Sequence, residues 1–351
     1  MIFENKKISI RQTQALFISE VFGVAVVFMP AAAWGFLGGG ALLALAAAVG
    51  ALALSVFAIT SVYGGGYKGF GDMVYKSFGK VGGNVVMALF WLKLIIVSGI
   101  WLKEFGITIH STMLDSVPYQ FICAVIAVSC FVLGQRDMEV RGRTAEIFIV
   151  IMALLFVPVL ILVGLGADYG NVMEIKSMDI ETFIKTVFVI FASLGSADYL
   201  WFLYPETNMG KSKKELVKAV VITGAGILVT MTVVFATFGD AIGERPWAVL
   251  RMMDTVDFPG AFVERQDVLM LGFWIMSLFI YISGAMTYGT YLFKELTGRT
   301  NFFLTGVLIF AISVIAFPVE FDASEIMLIT TPVFLVVLPF VLLAVRRIRR
   351  I

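Results

Sequence analysis

Long apolar stretches separated by short polar segments follow one another along the whole chain. A membrane-spanning helix needs roughly 20 mostly apolar residues, and a pass along the sequence finds about ten such stretches. They cover residues 12–36, 37–63, 82–112, 117–133, 144–165, 180–204, 215–238, 267–294, 301–317 and 324–345. The pattern predicts an all-α integral membrane protein with ten transmembrane helices.

Composition agrees with this interpretation. Of the 351 residues, 60% are hydrophobic and 15% are charged, and the mean hydropathy is +0.96. These values are too apolar for a soluble domain with a polar surface. The first apolar stretch carries no small-residue cleavage site, so it is interpreted as a retained span. We expect residues 1–351 to form a single transmembrane domain.

The basic residues predict the orientation of the chain. If both termini are cytoplasmic, 19 of the 26 lysine and arginine residues lie on the cytoplasmic side, as the positive-inside rule requires. The formal net charge is only +1, and the basic residues are spread over short loops. The sequence therefore predicts a lipid bilayer, and no nucleic acid, as the surrounding partner.

Several function classes are excluded by the side chains that the sequence lacks. Cys123 and Cys130 lie seven residues apart in one span, about 10 Å along a helix, which is too far for a disulfide. His110 is the only histidine, and no nucleotide-binding or zinc-hydrolase motif is present. We expect no metal, no cofactor and no enzymatic activity.

Two spans contain residues that weaken a membrane helix. The first span includes SEVFGVAVVFMP from Ser19, and the sixth includes FASLGSADYLWFLYP from Phe191. Each segment has a glycine, a nearby acid and a later proline, and they lie five spans apart. Paired interruptions are typical of inverted-repeat transporters. The sequence predicts a 5+5 inverted repeat, with repeats at about 8–165 and 180–346, and broken helices 1 and 6.

An interrupted helix leaves backbone groups without partners, and in a membrane a ligand can supply them. N–H groups after the first break would bind a carboxylate, and carbonyls before the second would bind an ammonium group. An amino-acid zwitterion satisfies both. The predicted substrate-binding residues are Gly23, Val24, Ala25, Val26, Ser193, Gly195, Ser196, Asp198 and Tyr199.

Glu20, Lys93 and Asp198 are charged residues inside predicted spans, where ions are costly and usually paired. Lys93 lies near half depth in the third span and is expected to pair with Glu20 or with Asp198. Such a pair either fixes helix packing or carries charge or a proton in the site, and Glu20 alternatively contacts water from the cytoplasmic side. We favour a site role for Asp198.

Hydroxyl groups in the eighth span form a candidate ion site. Ser277 and Ser283, with Thr287, could hold sodium, but hydroxyls in membrane helices more often bond to their own backbone. We favour the second interpretation.

Four motifs resemble one known family. KISIRQTQALFISEVFGVAVVFMP, MEVRGRTAEIFIVI, FASLGSADYLWFLYP with the following KSKKELVKA, and FVERQDVLMLGFWI occur in this order. They are similar to those of the spore germination permeases, the B subunits of germinant receptors, within the amino acid, polyamine and organocation transporter superfamily. The resemblance extends over nearly the whole chain.

The resemblance implies a fold like that of the bacterial leucine transporter, located in the inner membrane of the bacterial spore or in a cell membrane. It implies binding of a small nutrient such as an amino acid, and larger A and lipoprotein C subunits as partners. The superfamily's substrate loop maps onto Gly23, Val24, Ala25, Val26 and Pro30. Its second glycine is Ala25 here, which narrows the backbone freedom of that loop.

Three functions remain open for this fold, because fold does not decide function. The first is a germinant-receptor subunit that signals when nutrient binds at the bilayer midplane. The second is a proton-coupled amino-acid transporter, and the third is an ion-conducting subunit. The family resemblance favours the receptor.

Overall fold

The computed structural model describes residues 7–176, 179–208, 212–244, 247–255, 267–315 and 323–349. Residues 316–317 of the ninth predicted span, and residues 262–266 of the last family motif, lie outside these ranges. All regular elements within the described residues are helices. Two isolated backbone bridges, Ile8 to Thr207 and Gly38 to Ile175, join separate parts of the chain.

Most helices follow the predicted spans to within a few residues, but α3 begins twelve residues before the predicted start, and Gly79, with a φ of +72°, kinks that added part. They are α1 Ile10–Leu37, α2 Ala41–Tyr63, α3 Phe70–Thr112, α4 Tyr119–Gly134, α5 Met138–Gly166, α6 Ile180–Ser193, α7 Leu200–Glu206, α8 Ser212–Phe238, α9 Ala248–Arg251, α10 Asp267–Thr297, α11 Phe302–Val314, α12 Ala323–Pro332 and α13 Leu338–Arg349. A 3₁₀ turn, Gly195–Tyr199, joins α6 to α7, and a π-helical turn, Val333–Val337, joins α12 to α13.

Seven helical stretches of the described residues are long and apolar enough to cross a bilayer, when α12, the π-helical turn and α13 are counted as one, and the bent pair α6–α7 makes an eighth. The shorter apolar helices α4 and α11 coincide with the two other predicted spans. The all-helical membrane architecture is therefore confirmed. The count of ten spans and the 5+5 repeat stay predictions.

The start of α1 is fixed by local chemistry and by the end of α7. Ser9 and Gln12 form a capping box, in which each side chain bonds the other's backbone N–H at 3.2 and 2.9 Å, so two unpaired donors are satisfied. The Ile8 N–H donates to the Glu206 carbonyl at 2.8 Å. The hydroxyls of Thr13 and Thr207 also bond at 2.8 Å. α1 and α7 are therefore joined at one end.

The predicted break in the first span is wrong. α1 is helical from Ile10 to Leu37, through Gly23 and Pro30. A methyl group added at Gly23 would overlap the Ser277 side chain of α10, so the glycine allows close contact between two helices. Small residues have this role at many membrane helix interfaces. Val24, Ala25 and Val26 are buried within the same continuous helix.

Candidate functional site

The sixth predicted span is interrupted in the middle. α6 ends at Ser193, the 3₁₀ turn follows from Gly195, and α6 and the segment Gly195–Glu206 differ in direction by 48°. A methyl group at Gly195 would overlap Thr331 of α12. Glycine therefore lets the interrupted segment lie directly against α12.

Side chains from two other helices bond the backbone at this interruption. The Thr331 hydroxyl donates to the Ala192 carbonyl at 3.2 Å, and Lys93 Nζ of α3 donates to the Gly195 carbonyl at 3.3 Å. Carbonyls released from a helix in a membrane need such partners. The break is therefore stabilised by α3 and α12 together.

Asp198 and Lys93 form a buried ion pair at the break. Lys93 Nζ contacts Asp198 Oδ2, and the two residues are 5% and 0% exposed. The structure thus places Lys93 beside Asp198 and away from Glu20. Asp198 Oδ1 accepts no hydrogen bond from the described part of the chain. The pair has one carboxylate oxygen left over for a further donor.

Glu20 has a different partner, which the sequence reasoning missed. Arg141 Nη2 of α5 bonds Glu20 Oε1 at 3.0 Å, and the Tyr288 hydroxyl of α10 bonds the same oxygen at 3.1 Å. The arginine carbon Cζ lies 5.0 Å from the centre of the Tyr288 ring. Both charged residues are fully buried, so solvation of Glu20 from the cytoplasmic side is wrong for this structure.

Arg141 precedes the fifth predicted span, which begins at residue 144. The helix begins six residues earlier, at Met138. Arg141 shares one buried face of α5 with Ala145, Met152 and Phe156. This helical spacing was the signal that could have identified Arg141 as a buried residue.

Tyr199 connects the two ion pairs. Its ring stacks on Tyr281 at 5.3 Å and meets Tyr288 edge-on at 5.0 Å. A methyl group at Gly284 would lie 2.8 Å from both Arg141 Nη2 and Glu20 Oε1, and 3.2 Å from the Tyr199 ring. The absence of a side chain at Gly284 therefore allows the Glu20–Arg141 pair to lie beside the residue that follows Asp198.

The other predicted site residues have varied positions. Ser196 is buried at the break, and its Oγ makes no hydrogen bond to the residues that the structure describes. Ser193 donates to the Val189 carbonyl at 3.0 Å. Ser277 donates to the Ser19 carbonyl at 2.8 Å, and Ser283 to the Ile280 carbonyl at 2.9 Å. The candidate ion ligands Ser277 and Ser283 thus donate their hydroxyl hydrogens to backbone carbonyls. Their ion-binding role stays a prediction.

A cavity of about 40 Å³ lies on the side predicted to be cytoplasmic. Lys68 and Glu206 contribute to its lining, together with Phe202 and Tyr288. The Phe202 and Tyr288 rings stack at 5.1 Å with an angle of 13° between their planes. Tyr288 therefore contacts both the cavity and the buried Glu20, to which its hydroxyl donates.

Comparison with known proteins gives concordant results. A family model described as "Spore germination protein" matches residues 7–326. Spore germination protein YndE of Bacillus subtilis (strain 168) is 23% identical over 209 residues, which are 57% of this chain and 56% of YndE. The match therefore spans only about half the length of that relative.

A solved structure shares the fold. A Na⁺-coupled sialic acid symporter, in a substrate-bound outward-open state, superposes with a TM-score of 0.63 at 10% identity, covering 95% of this chain and 73% of the symporter. This likeness confirms a transporter fold and, at such low identity, nothing about the substrate. Because the family model extends over most of the chain, this protein belongs to the spore germination protein family.

Proposed function

We propose that the chain is the B subunit of a spore germinant receptor, located in the spore inner membrane with both termini cytoplasmic and acting with A and C subunits. Its ligand is a small nutrient, an amino acid in the first instance. The observation that carries the proposal is the buried Lys93–Asp198 pair at the interrupted helix. The pair places one positive and one negative group beside the backbone carbonyl of Gly195 in the interrupted segment.

An amino acid has the complementary charges. Its ammonium group would replace Lys93 Nζ at Asp198 and at the Gly195 carbonyl, where the lysine now donates. Its carboxylate would then accept from Lys93. Each buried charge stays paired throughout, which matters because an unpaired buried ion costs several kcal/mol. This mode needs no break in α1.

Insertion of the ligand would move α3 and the 3₁₀ turn apart. Tyr199 follows Asp198 directly and contacts Tyr281 and Tyr288 of α10. Tyr288 in turn bonds Glu20 of α1. A ligand that binds the separated arrangement more tightly would increase the population of molecules in which these contacts are altered. Partner subunits would detect that change.

Proton-coupled amino-acid transport is the second candidate. The observation that favours it is the second Glu20 oxygen, Oε2, which is buried and accepts no hydrogen bond from any described residue. Buried acids in membrane helices are common proton carriers. The fold is also shared with a symporter.

Binding to the purified full chain tests the site. We would screen radiolabelled amino acids against the protein in nanodiscs, and then measure Asp198→Asn and Lys93→Met with the best ligand. Loss of one partner of a buried charge pair should weaken binding at least about thirtyfold. Lys185→Met removes a matched but exposed pair, Lys185–Glu181 on α6, and should leave affinity unchanged. Unaltered binding in both site variants would refute the proposed site.

Uptake separates the two candidate functions. Proteoliposomes that contain this chain alone should show ligand binding without concentrative uptake if it is a receptor subunit. Uptake driven by a proton gradient, and lost in Glu20→Gln, would establish the transporter instead.

A further inference from the structure

An apolar groove of about 700 Å³ runs between α5 and α8, with α1 and α10 beneath it. Thr223 and Tyr169 are the residues in its lining that carry a polar side chain, and both polar atoms have partners. Thr223 Oγ1 donates to the Ala219 carbonyl at 2.9 Å, and the Tyr169 hydroxyl to the Gly164 carbonyl at 3.1 Å. The groove therefore presents hydrocarbon to its occupant and has no hydrogen bond to offer.

The groove is long and opens sideways. Its lining on α5 runs from Ile149 to Leu165, which is about 24 Å at 1.5 Å per residue. Leu165 at the end of the lining is 80% exposed, and Leu154 beside the lining is 70% exposed, so this part of α5 faces outward. The hydrocarbon core of a bilayer is roughly 30 Å thick. The groove therefore follows most of the thickness of the lipid and is parallel to its chains.

Positive charge lies beyond one end of the groove. Ile222 lines it on α8, Lys218 lies one helical turn before Ile222, and Lys214 lies one turn earlier. Both lysines are exposed. Neither forms an ion pair within the described ranges. Exposed lysines at the membrane surface attract anionic headgroups.

We propose that this groove binds the acyl chain of an anionic phospholipid, from the leaflet that contains the N-terminal end of α8, with its headgroup beside Lys218. Length, apolar lining and lateral opening select a hydrocarbon chain, and the two lysines select the anionic headgroup. This site is separate from the ion pairs and does not depend on the proposed nutrient.

The bound acyl chain would contact α1 through the side chain of Phe22. Phe22, in the groove lining, meets Phe156 and Phe273 edge-on at 5.8 and 6.1 Å. A methyl group at Gly226 would lie 3.0 Å from the Phe22 ring, so the backbone of α8 also packs closely against this ring. Phe22 is two residues from Glu20. The lipid would thus stabilise the position of α1 that the Glu20–Arg141 pair requires.

Photocrosslinking tests the proposal with the full chain in nanodiscs. The probe is phosphatidylglycerol that carries a diazirine in its acyl chain, with the equivalent phosphatidylcholine for comparison. Ala225 is exposed in the groove, and Ala225→Trp would fill it. Ala124→Trp is the matched control, because Ala124 lines a second apolar groove of about 360 Å³ between α4 and α11.

We expect labelling of α5 and α8 peptides that Ala225→Trp abolishes and Ala124→Trp leaves unchanged. Lys218→Gln should lower the preference for the anionic probe about fivefold, the effect of one basic residue at a membrane surface. Equal labelling of α5 and α8 in both tryptophan variants would overturn the acyl-chain site. An unchanged anionic preference in Lys218→Gln would overturn the headgroup assignment. If Ala225→Trp does not yield folded protein, Ala153→Leu on the opposite wall replaces it, with the same outcomes.

Discussion

α1 and the α6–α7 pair contain the same sequence elements, a glycine, an acid and a later proline, yet only the second is interrupted. At Gly23 the missing side chain makes room for Ser277. At Gly195 it makes room for Thr331, whose hydroxyl also takes the Ala192 carbonyl. Both glycines therefore mark close helix contacts. The Ser277 hydroxyl bonds one carbonyl of α1, that of Ser19, and α1 stays continuous. At the break two side chains bond the backbone, because Lys93 holds the Gly195 carbonyl in addition to the bond from Thr331.

The buried acids differ in the same way. Glu20 lies in a regular helix and bonds an arginine and a tyrosine from two other helices. Asp198 lies in the 3₁₀ turn and bonds a lysine that also holds the Gly195 carbonyl. Exchange of the lysine for a ligand would change backbone and side-chain contacts together. The interrupted segment is thus the better candidate for a switch, and the continuous helix for its support.

The largest expected effect is on the ion pair at the break. Lys93→Met leaves Asp198 buried without its cation, which should lower the free energy of unfolding by about 3–5 kcal/mol. Reversible unfolding in mixed micelles would measure it. The double variant Lys93→Met/Asp198→Leu should recover most of the loss. A double variant no more stable than the single one would show that the pair is not the source of the effect.

A smaller effect is expected at the continuous helix. Gly23→Ala would force a methyl group into Ser277 of α10, and overpacking of this kind costs about 1–3 kcal/mol. Ser277→Gly in the same chain should relieve it. Gly35→Ala is the control on the same helix, because a methyl group there meets nothing within 4 Å. If Gly23→Ala and Gly35→Ala were equally stable, the close contact between α1 and α10 would be refuted.

The smallest effect is expected at the carbonyl released by the break. Thr331→Val keeps the shape of the side chain and removes its hydrogen bond to Ala192. Hydrogen bonds between membrane helices contribute about 0.6 kcal/mol on average, and the same unfolding measurement would detect it. Thr330→Val is the matched control, since Thr330 bonds a carbonyl of its own helix, that of Ile326.

Much of the fold could be predicted from the sequence. The positions of the apolar stretches gave the helices to within a few residues for most spans, because length and hydropathy decide what crosses a bilayer. The sequence also predicted the interruption near Gly195 and the role of Lys93 as the partner of a buried acid. Each depends on a local signal, namely a helix-weakening segment or a charge inside an apolar stretch.

Contacts between distant helices could not be predicted in this way. Gly23 gave the same local signal as Gly195, and only the position of Ser277 shows that it serves packing. Arg141 lies before the apolar part of α5, outside the predicted span, although its helical spacing places it on the buried face. Which side chain faces which depends on the crossing of helices, and one sequence does not specify that.

The stacked rings of Phe202 and Tyr288 have a consequence for what can pass through the molecule. The adjoining cavity of about 40 Å³ exceeds the roughly 10–15 Å³ that one water molecule requires. The cavity therefore has room for water against the two rings, and the hydroxyl of one of them, Tyr288, bonds the buried Glu20. A receptor can work with these rings permanently stacked, whereas a carrier whose path runs through this cavity must separate them once in every cycle.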